Sequence, residues 1–331
     1  MIDNLPWIER AILVYGPRKG GTTLFQNLLD GGKEVFVYPA ELKLKYMIKM
    51  ETLTPKEYLM LSRLPTNEPQ NTKKPVVDSN SKEWEPPAYS SHSRGYGISS
   101  DQFDRAGYDA EWNDDKSNKS HIGDLVRKDI LRVYKNCLTK PAQPQMWCAK
   151  EVGGRQSAIL DLWKRSFPKG RVLLLARDPL MVTRAVIRDR HMVGQKMSIR
   201  DIIKQTYDPM AVNAFIAKER NSSTAFAICY EDLVRDTAGT MKAVAIFLGI
   251  EYSVNFNEPS ILGEKVIVRT SSRADPNIFV SQANWTEGLT LREKTIIALT
   301  SCLLRISPRF WKSYGSLRRQ IKARNPIPND R

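Results

Sequence analysis

Only four cysteines and three histidines occur in the 331 residues, and no long apolar run interrupts them. Cys137, Cys148, Cys229 and Cys302 stand far apart with no C-x-x-C pair, which excludes the spacing of a zinc site and of a disulfide framework. Reduced, mostly buried thiols are expected. The start, Met-Ile-Asp-Asn-Leu-Pro-Trp, has no basic stretch leading into an apolar one, and no span of about 18 apolar residues follows anywhere. A cytoplasmic chain without a membrane span is therefore expected. There is no internal repeat, so solenoid and array architectures are excluded.

What is present is basic. Lys and Arg total 51 against 36 Asp and Glu, a formal net charge of +15. Such a surface concentrates phosphorylated nucleotides, anionic polysaccharides, nucleic acids or acidic membranes without choosing among them. Part of it lies in a tail, 308–331, where Arg318, Arg319, Lys322 and Arg324 read as a solvated basic surface and the last residues as frayed. The 41% hydrophobic content supplies a buried sheet, and the length suits one domain over 1–331.

Strand-like runs occur at Ala11–Tyr15, Glu34–Val37, Gln145–Ala149, Arg171–Ala176 and Ala225–Tyr230. Helical patterns follow most of them. Val172-Leu-Leu-Leu175 is apolar on both faces, as in a parallel sheet covered on both sides, so the expected fold is doubly wound α/β, and the glycine-rich turn after the first strand makes it the P-loop nucleotide-binding type. Between 65 and 123 the composition turns to Asn, Ser, Asp, Lys, Pro and Gly with scattered Trp84, Tyr89, Tyr96, Tyr108 and Trp112. This polar insertion is expected on the surface, or as a lid whose aromatics line an acceptor groove.

The most informative segment joins the first strand to a leucine-rich helix, Thr22 to Asp30. It reads Gly16-Pro-Arg-Lys-Gly-Gly-Thr-Thr23. Backbone N–H groups and a helix N-terminus converge in such a loop on an anion, and phosphate is the obvious one. A nucleoside-triphosphatase loop, G-x-x-x-x-G-K-[ST], would put lysine where Thr22 stands; here Lys19 lies inside the turn. That placement favours a shorter, metal-free donor. Gly20 and Gly21 admit close backbone approach, while Thr22 and Thr23 can cap the helix and offer hydroxyls.

Gly16 to Asp30 resembles the 5′-phosphosulfate loop of sulfotransferases that use 3′-phosphoadenosine 5′-phosphosulfate (PAPS), and R-K-G-G-T is similar to the heparan sulfate branch. The resemblance assigns Arg18, Lys19, Gly20, Gly21, Thr22 and Thr23 to the donor, with PAP as product and no metal. Arg171-Val-Leu-Leu-Leu-Ala-Arg-Asp-Pro179 resembles the family's strand and R-D-P turn, whose arginine, here Arg177, grips the donor 3′-phosphate with a planar fork. Where the family usually has the next 3′-phosphate contact, a serine, this sequence has Ala185. Thr183 and Arg184 are the neighbouring substitutes, with helical geometry turning Thr183 away. Ala227-Ile-Cys-Tyr-Glu-Asp-Leu-Val234 and Phe247-Leu-Gly-Ile250 are similar to the family's Y-E-D-L strand end and F-L-G-I helix, which implies Tyr230 near the adenine. Arg269-Thr-Ser-Ser-Arg273, ahead of Trp285 and a helix at about Thr290 to Leu304, looks like the loop over the 3′-phosphate and assigns Ser271, Ser272 and Arg273 there.

Sulfuryl transfer resembles phosphoryl transfer in being in line and loose, so charge grows on the leaving oxygen, where Lys19 is placed to meet it. The resemblance implies Glu41, after the second strand, as the base for the acceptor, and Lys150 as the lysine that neutralises the sulfuryl group or orients the acceptor. His191 is the rival base by its titration range, while His92 and His121 lie in the insertion. The acceptor is expected to be a glycan or a small hydroxylated molecule, with no nucleic-acid partner; oligomeric state has no signal. Two other readings stand beside this one: a P-loop kinase or NTPase, and a non-catalytic binder of nucleotide or polyanion.

Overall fold

The computed structural model describes residues 5–62, 102–115, 118–266, 268–269, 274–275, 278, 284–307 and 314–324. Its centre is a five-stranded parallel sheet: β1 (Ala11–Gly16), β2 (Val35–Glu41), β3 (Met146–Val152), β4 (Arg171–Ala176) and β5 (Ala225–Cys229). The order across the sheet is β2, β3, β1, β4, β5. From β1 the chain runs to one side for β2 and β3 and to the other for β4 and β5. The carboxyl end of β1 is thus the switch point, the place where open α/β sheets bind ligands.

All six β1 residues are buried because both faces are covered. Ile12 and Val14 point into one apolar cluster with Leu24, Phe25 and Leu28 of α1 (Thr22–Leu29), and Leu13 and Tyr15 into another with Val212 and Ile216. The edge strand β2 contains Pro39, which lacks a donor for the ladder. Its pairing with β3 shifts between Val37 and Glu41, and Glu41 then stands opposite Lys150. The expected strands are all present; β2 and β3 run further than their apolar stretches because their last residues are polar members of a site.

The longer helices that follow β2 are α2 (Pro55–Ser62), α3 (Arg105–Asn113) and α4 (Ile122–Asn136). Tyr108 and Trp112 are buried in the core, so these two aromatics of the 65–123 stretch do not line a groove. Trp84, Tyr89, Tyr96 and His92 lie outside the described residues. Asp129 of α4 is wholly buried and accepts hydrogen bonds from the hydroxyls of Tyr38 (2.9 Å), Tyr58 (2.8 Å) and Tyr108 (2.7 Å). One carboxyl therefore ties β2, α2 and α3 together.

Next come α5 (Gln156–Ser166), α6 (Pro179–Met192), α7 (Ile199–Glu219), α8 (Tyr230–Arg235), α9 (Thr237–Leu248), α10 (Leu291–Ile306) and α11 (Tyr314–Arg324). Thr290 and Glu293 form a reciprocal cap at the start of α10. In the tail, Arg319, Lys322 and Arg324 are exposed, while its apolar side is docked. Leu317 and Ile321 of α11 are buried, and Arg318 and Lys322 pair with Asp232, Lys322 at 3.3 Å. Apolar spacing within the charged run drives this docking. Cys137, Cys148 and Cys229 are buried free thiols, and Cys302 is exposed. No helix among the described residues is long and apolar enough to cross a membrane.

Candidate active site

The loop after β1 closes on itself where Gly20 N donates to Pro17 O at 2.8 Å. Lys19 and Gly21 have left-handed backbone, φ 58° and 96°, the kind of turn in which successive N–H groups converge on an anion. At Gly21 glycine is required twice over, since a Cβ there would meet Tyr230 Cδ2 at 2.3 Å. The caps differ from expectation. Gly21 is the N-cap of α1 and no side chain caps it; Thr22 is buried, and the Thr23 hydroxyl instead accepts from Lys150 Nζ. Arg18 and Lys19 are exposed, and Lys19 Nζ is held by Asp189 Oδ1 of α6 at 2.7 Å.

Arg177, at the carboxyl end of β4, reaches the same loop. Its Nη1 donates to Lys19 O at 2.6 Å and its guanidinium lies 4.0 Å over the ring of Tyr230. Asp178 caps α6 by accepting from Leu180 N at 2.8 Å, with Pro179 at the first helical position. Glu231 accepts from Asp178 N at 3.1 Å and from the Tyr314 hydroxyl. The Tyr-Glu-Asp turn is thus a buckle: Tyr230 faces the loop, Glu231 fixes the Arg-Asp-Pro turn, and Asp232 holds α11.

Beyond Arg177, α6 presents no hydroxyl at Ala185. Thr183 is buried and donates to Pro179 O at 2.8 Å and Gln205 O at 3.1 Å, so it is committed to the core. Arg184 is different. It is 4% exposed, its Nε donates to Glu287 O at 2.8 Å, and its buried Nη2 makes no hydrogen bond among the described residues, only a long ion pair with Glu287 Oε2 at 3.7 Å. Arg177 Nε is orphaned in the same way. Burial, the charge of Arg188 and that of Arg177 all push the Arg184 guanidinium down, and only Glu287 opposes them. Three cations thus stand close together, and two of their buried nitrogens make no hydrogen bond among the described residues.

Across the switch point, the ends of β2 and β3 carry a second cluster. Glu41 accepts from Lys43 Nζ at 2.8 Å and from Lys45 Nζ at 2.6 Å. Burial raises its affinity for protons, but the ammoniums of Lys45 and Lys43 overcome this and hold the carboxyl down to about 2. Lys150 is buried, and burial pushes its amine down to about 7. Glu151, on the opposite face of β3, is pushed up to about 7 by burial and then by the charge of Glu41. Lys45 Nζ lies 3.5 Å from Glu151 Oε1. An open cavity of about 390 Å³ lined by Ile48, Lys49, Arg155, Gln156, Ser157 and Ala158 adjoins this cluster, since Arg155 Nη1 donates to Lys45 O at 3.2 Å.

Lys19, Gly20, Gly21, Arg177 and Tyr230 therefore meet at the loop, and Thr23, Lys150 and Glu41 meet beside it. Ser271, Ser272 and Arg273 lie outside the described residues. His191 bonds Glu293 Oε1 at 2.8 Å and joins α6 to α10, while His121 is exposed at the start of α4. Sequence reasoning missed Asp189, Arg188, Lys43, Lys45 and Glu151. The spacing Arg184 to Arg188 on one helical face was the available signal for one of them.

A glycine-rich loop at the switch point of a parallel sheet, leading straight into a helix, defines an α/β protein of the P-loop type. A family model described as the sulfotransferase family matches residues 11–254, more than half of the chain, and the chain belongs to that family. No curated protein matches it. Among solved structures it is similar to a sulfotransferase domain from the curacin biosynthetic pathway (16% identity over 97% of this chain and 98% of that one, TM-score 0.49). A sulfotransferase domain from the Synechococcus PCC 7002 olefin synthase is 16% identical over 88% and 94%, TM-score 0.49. A mouse sulfotransferase complexed with PAP is 10% identical over 95% and 89%, TM-score 0.44.

Proposed function

We propose that this sulfotransferase takes its sulfuryl group from PAPS and delivers it to a hydroxyl or amine on a glycan or small hydroxylated molecule. The observation that carries the donor assignment is the pair of buried nitrogens without a hydrogen bond, Arg177 Nε and Arg184 Nη2, the latter only 3.7 Å from Glu287 Oε2, beside a loop shaped for a second anion. A nucleotide with phosphates on both sides of its ribose answers both. Arg184 then supplies the contact that Ala185 cannot, as a charged donor in place of a hydroxyl.

In this reading the loop N–H groups and Thr22 hold the 5′-phosphate, Arg177 and Arg184 hold the 3′-phosphate, and the Tyr230 ring packs on the loop. Ser271, Ser272 and Arg273 complete that side. Lys19 leaves Asp189 and turns to the oxygen between phosphorus and sulfur, where charge grows as the bond breaks. Glu41 receives the acceptor proton, Lys150 faces the sulfuryl oxygens, and the acceptor enters from the cavity at Lys49 and Arg155. Those two cations favour an acceptor that carries an anionic group.

Transfer of radiolabelled sulfate from PAPS to a panel of glycans, phenols and alcohols tests the reading. Label on any of them supports it. Tight PAP binding with no labelled product across the panel would favour a non-catalytic nucleotide binder.

A further inference from the structure

We propose, on the reading that Glu41 is the base, that Glu151 is the proton store of the site and receives through Lys45 the proton that Glu41 removes from the acceptor.

A carboxylate braced by two ammoniums is a weak base, and Glu41 is braced by Lys43 at 2.8 Å and Lys45 at 2.6 Å. It can take a proton only in passing. Glu151 has the opposite setting. It is wholly buried, its Oε1 accepts from Val152 N at 3.2 Å, and its Oε2 has no hydrogen-bond partner among the described residues. A buried carboxylate oxygen left without a donor is costly, and a proton relieves that cost. Lys45 lies between the two carboxyls, 2.6 Å from Glu41 Oε1 and 3.5 Å from Glu151 Oε1. Glu41 also bears on Glu151 directly, its charge and its carboxyl both favouring a proton there; the other groups are Tyr15 of β1, whose hydroxyl donates to Gly153 O, and Lys150 of its own strand. Lys43 acts on Glu41 and Lys150, and Asp208 of α7 acts on Tyr15.

The step balances. The acceptor O–H bond breaks and its electron pair forms the bond to sulfur, while the sulfur–oxygen bond of the donor breaks and its pair leaves on the phosphate oxygen. The acceptor proton goes to Glu41. Lys45 gives a proton to Glu151 as its amine takes the one from Glu41, so the ammonium and the Glu41 carboxylate are restored and Glu151 is left protonated.

The test is kcat against pH, between about pH 6 and 9, for the wild type, Glu151→Gln and Glu41→Gln, with PAP titrations alongside. The wild type should show an acid limb near neutrality, because Glu151 must be ionised to accept. Glu151→Gln should lose that limb and run about tenfold slower or worse, with PAP affinity within about twofold of the parent. An unchanged limb and rate in Glu151→Gln overturns the proposal while leaving Glu41 as base. A Glu41→Gln enzyme as fast as the wild type overturns both. Should Glu151→Gln not fold, Glu151→Asp draws the carboxyl away from Lys45 and should displace the limb; an unmoved limb overturns the proposal equally.

Discussion

Arg177 Nη1 donates to the carbonyl of Lys19 at 2.6 Å. The residue proposed to grip one end of the donor thus also fixes the backbone that holds the other. Binding at either end is expected to order both, because the same guanidinium packs on Tyr230, which in turn touches Gly21. Glu231 braces this unit from behind through Asp178 N.

Arg177→Ala removes a charge-assisted contact to the donor and the tie to the loop together. PAP affinity should fall about 100-fold by calorimetric titration, and Arg177→Lys should recover little, since a point charge cannot reproduce the planar fork. Affinity within about twofold of the parent in both variants would reject the assignment.

Lys19 acts at a different stage. Lys19→Ala should lower kcat about 100-fold or more and change donor affinity by less than about tenfold, because the charge it meets develops in the transition state. Asp189→Ala should tighten donor binding slightly, as the donor no longer competes with an ion pair of partly exposed groups. Pre-steady-state transfer and PAP titration on each variant separate the two effects.

The fold was more legible than the site's chemistry, for a physical reason. Runs such as Val172 to Leu175 are apolar on both faces, so their burial is written locally in the sequence, and the turn at Gly16 to Thr23 announces itself by composition. The ends of β2 and β3 were shorter in sequence than in structure because Pro39 and the charged Glu41, Lys150 and Glu151 carry no strand pattern of their own; Glu41 and Lys150 were picked out only by family resemblance. Asp129 was invisible for the same reason: its three tyrosines come from positions 38, 58 and 108, and nothing local links them. Thr22 and Thr23 were misread as caps since a left-handed Gly21 already starts the helix. Arg318 looked solvated because charge dominates its segment, although Leu317 and Ile321 dock that segment and Asp232 holds the guanidinium.

Asp129→Ala removes the acceptor shared by three buried hydroxyls and should cost about 3 kcal/mol or more of unfolding free energy, whereas Tyr58→Phe should cost about 1 kcal/mol. Urea denaturation measures both. The carboxyl itself is pushed up by burial, against the three tyrosine hydrogen bonds and Arg132. A raised folded value means that its contribution is full below the unfolded value and shrinks as pH rises through the folded one, so the acid side should be spared at this site.

Lys150 provides a pH signature of donor binding. Burial holds its amine down to about 7, so at pH 8 it is mostly neutral in the free protein. An incoming anion near Thr23 favours the ammonium. Binding should therefore take up a proton and weaken as pH rises through 7 and above, which calorimetry in buffers of different ionisation enthalpy reads directly. Lys150→Met should abolish the uptake, and an identical uptake in that variant would place the proton elsewhere.

The central claim is that one site holds a nucleotide by a 5′-phosphate in the loop at Gly16 and a 3′-phosphate at Arg177 and Arg184. Calorimetric titration with PAP, with 5′-AMP and with ATP, each with and without Mg²⁺, tests it most directly. The account predicts that PAP binds at least about 100-fold more tightly than 5′-AMP, with no need of Mg²⁺, and that ATP does not match it. Equal affinity for PAP and 5′-AMP, or tight ATP binding that requires Mg²⁺, would contradict it.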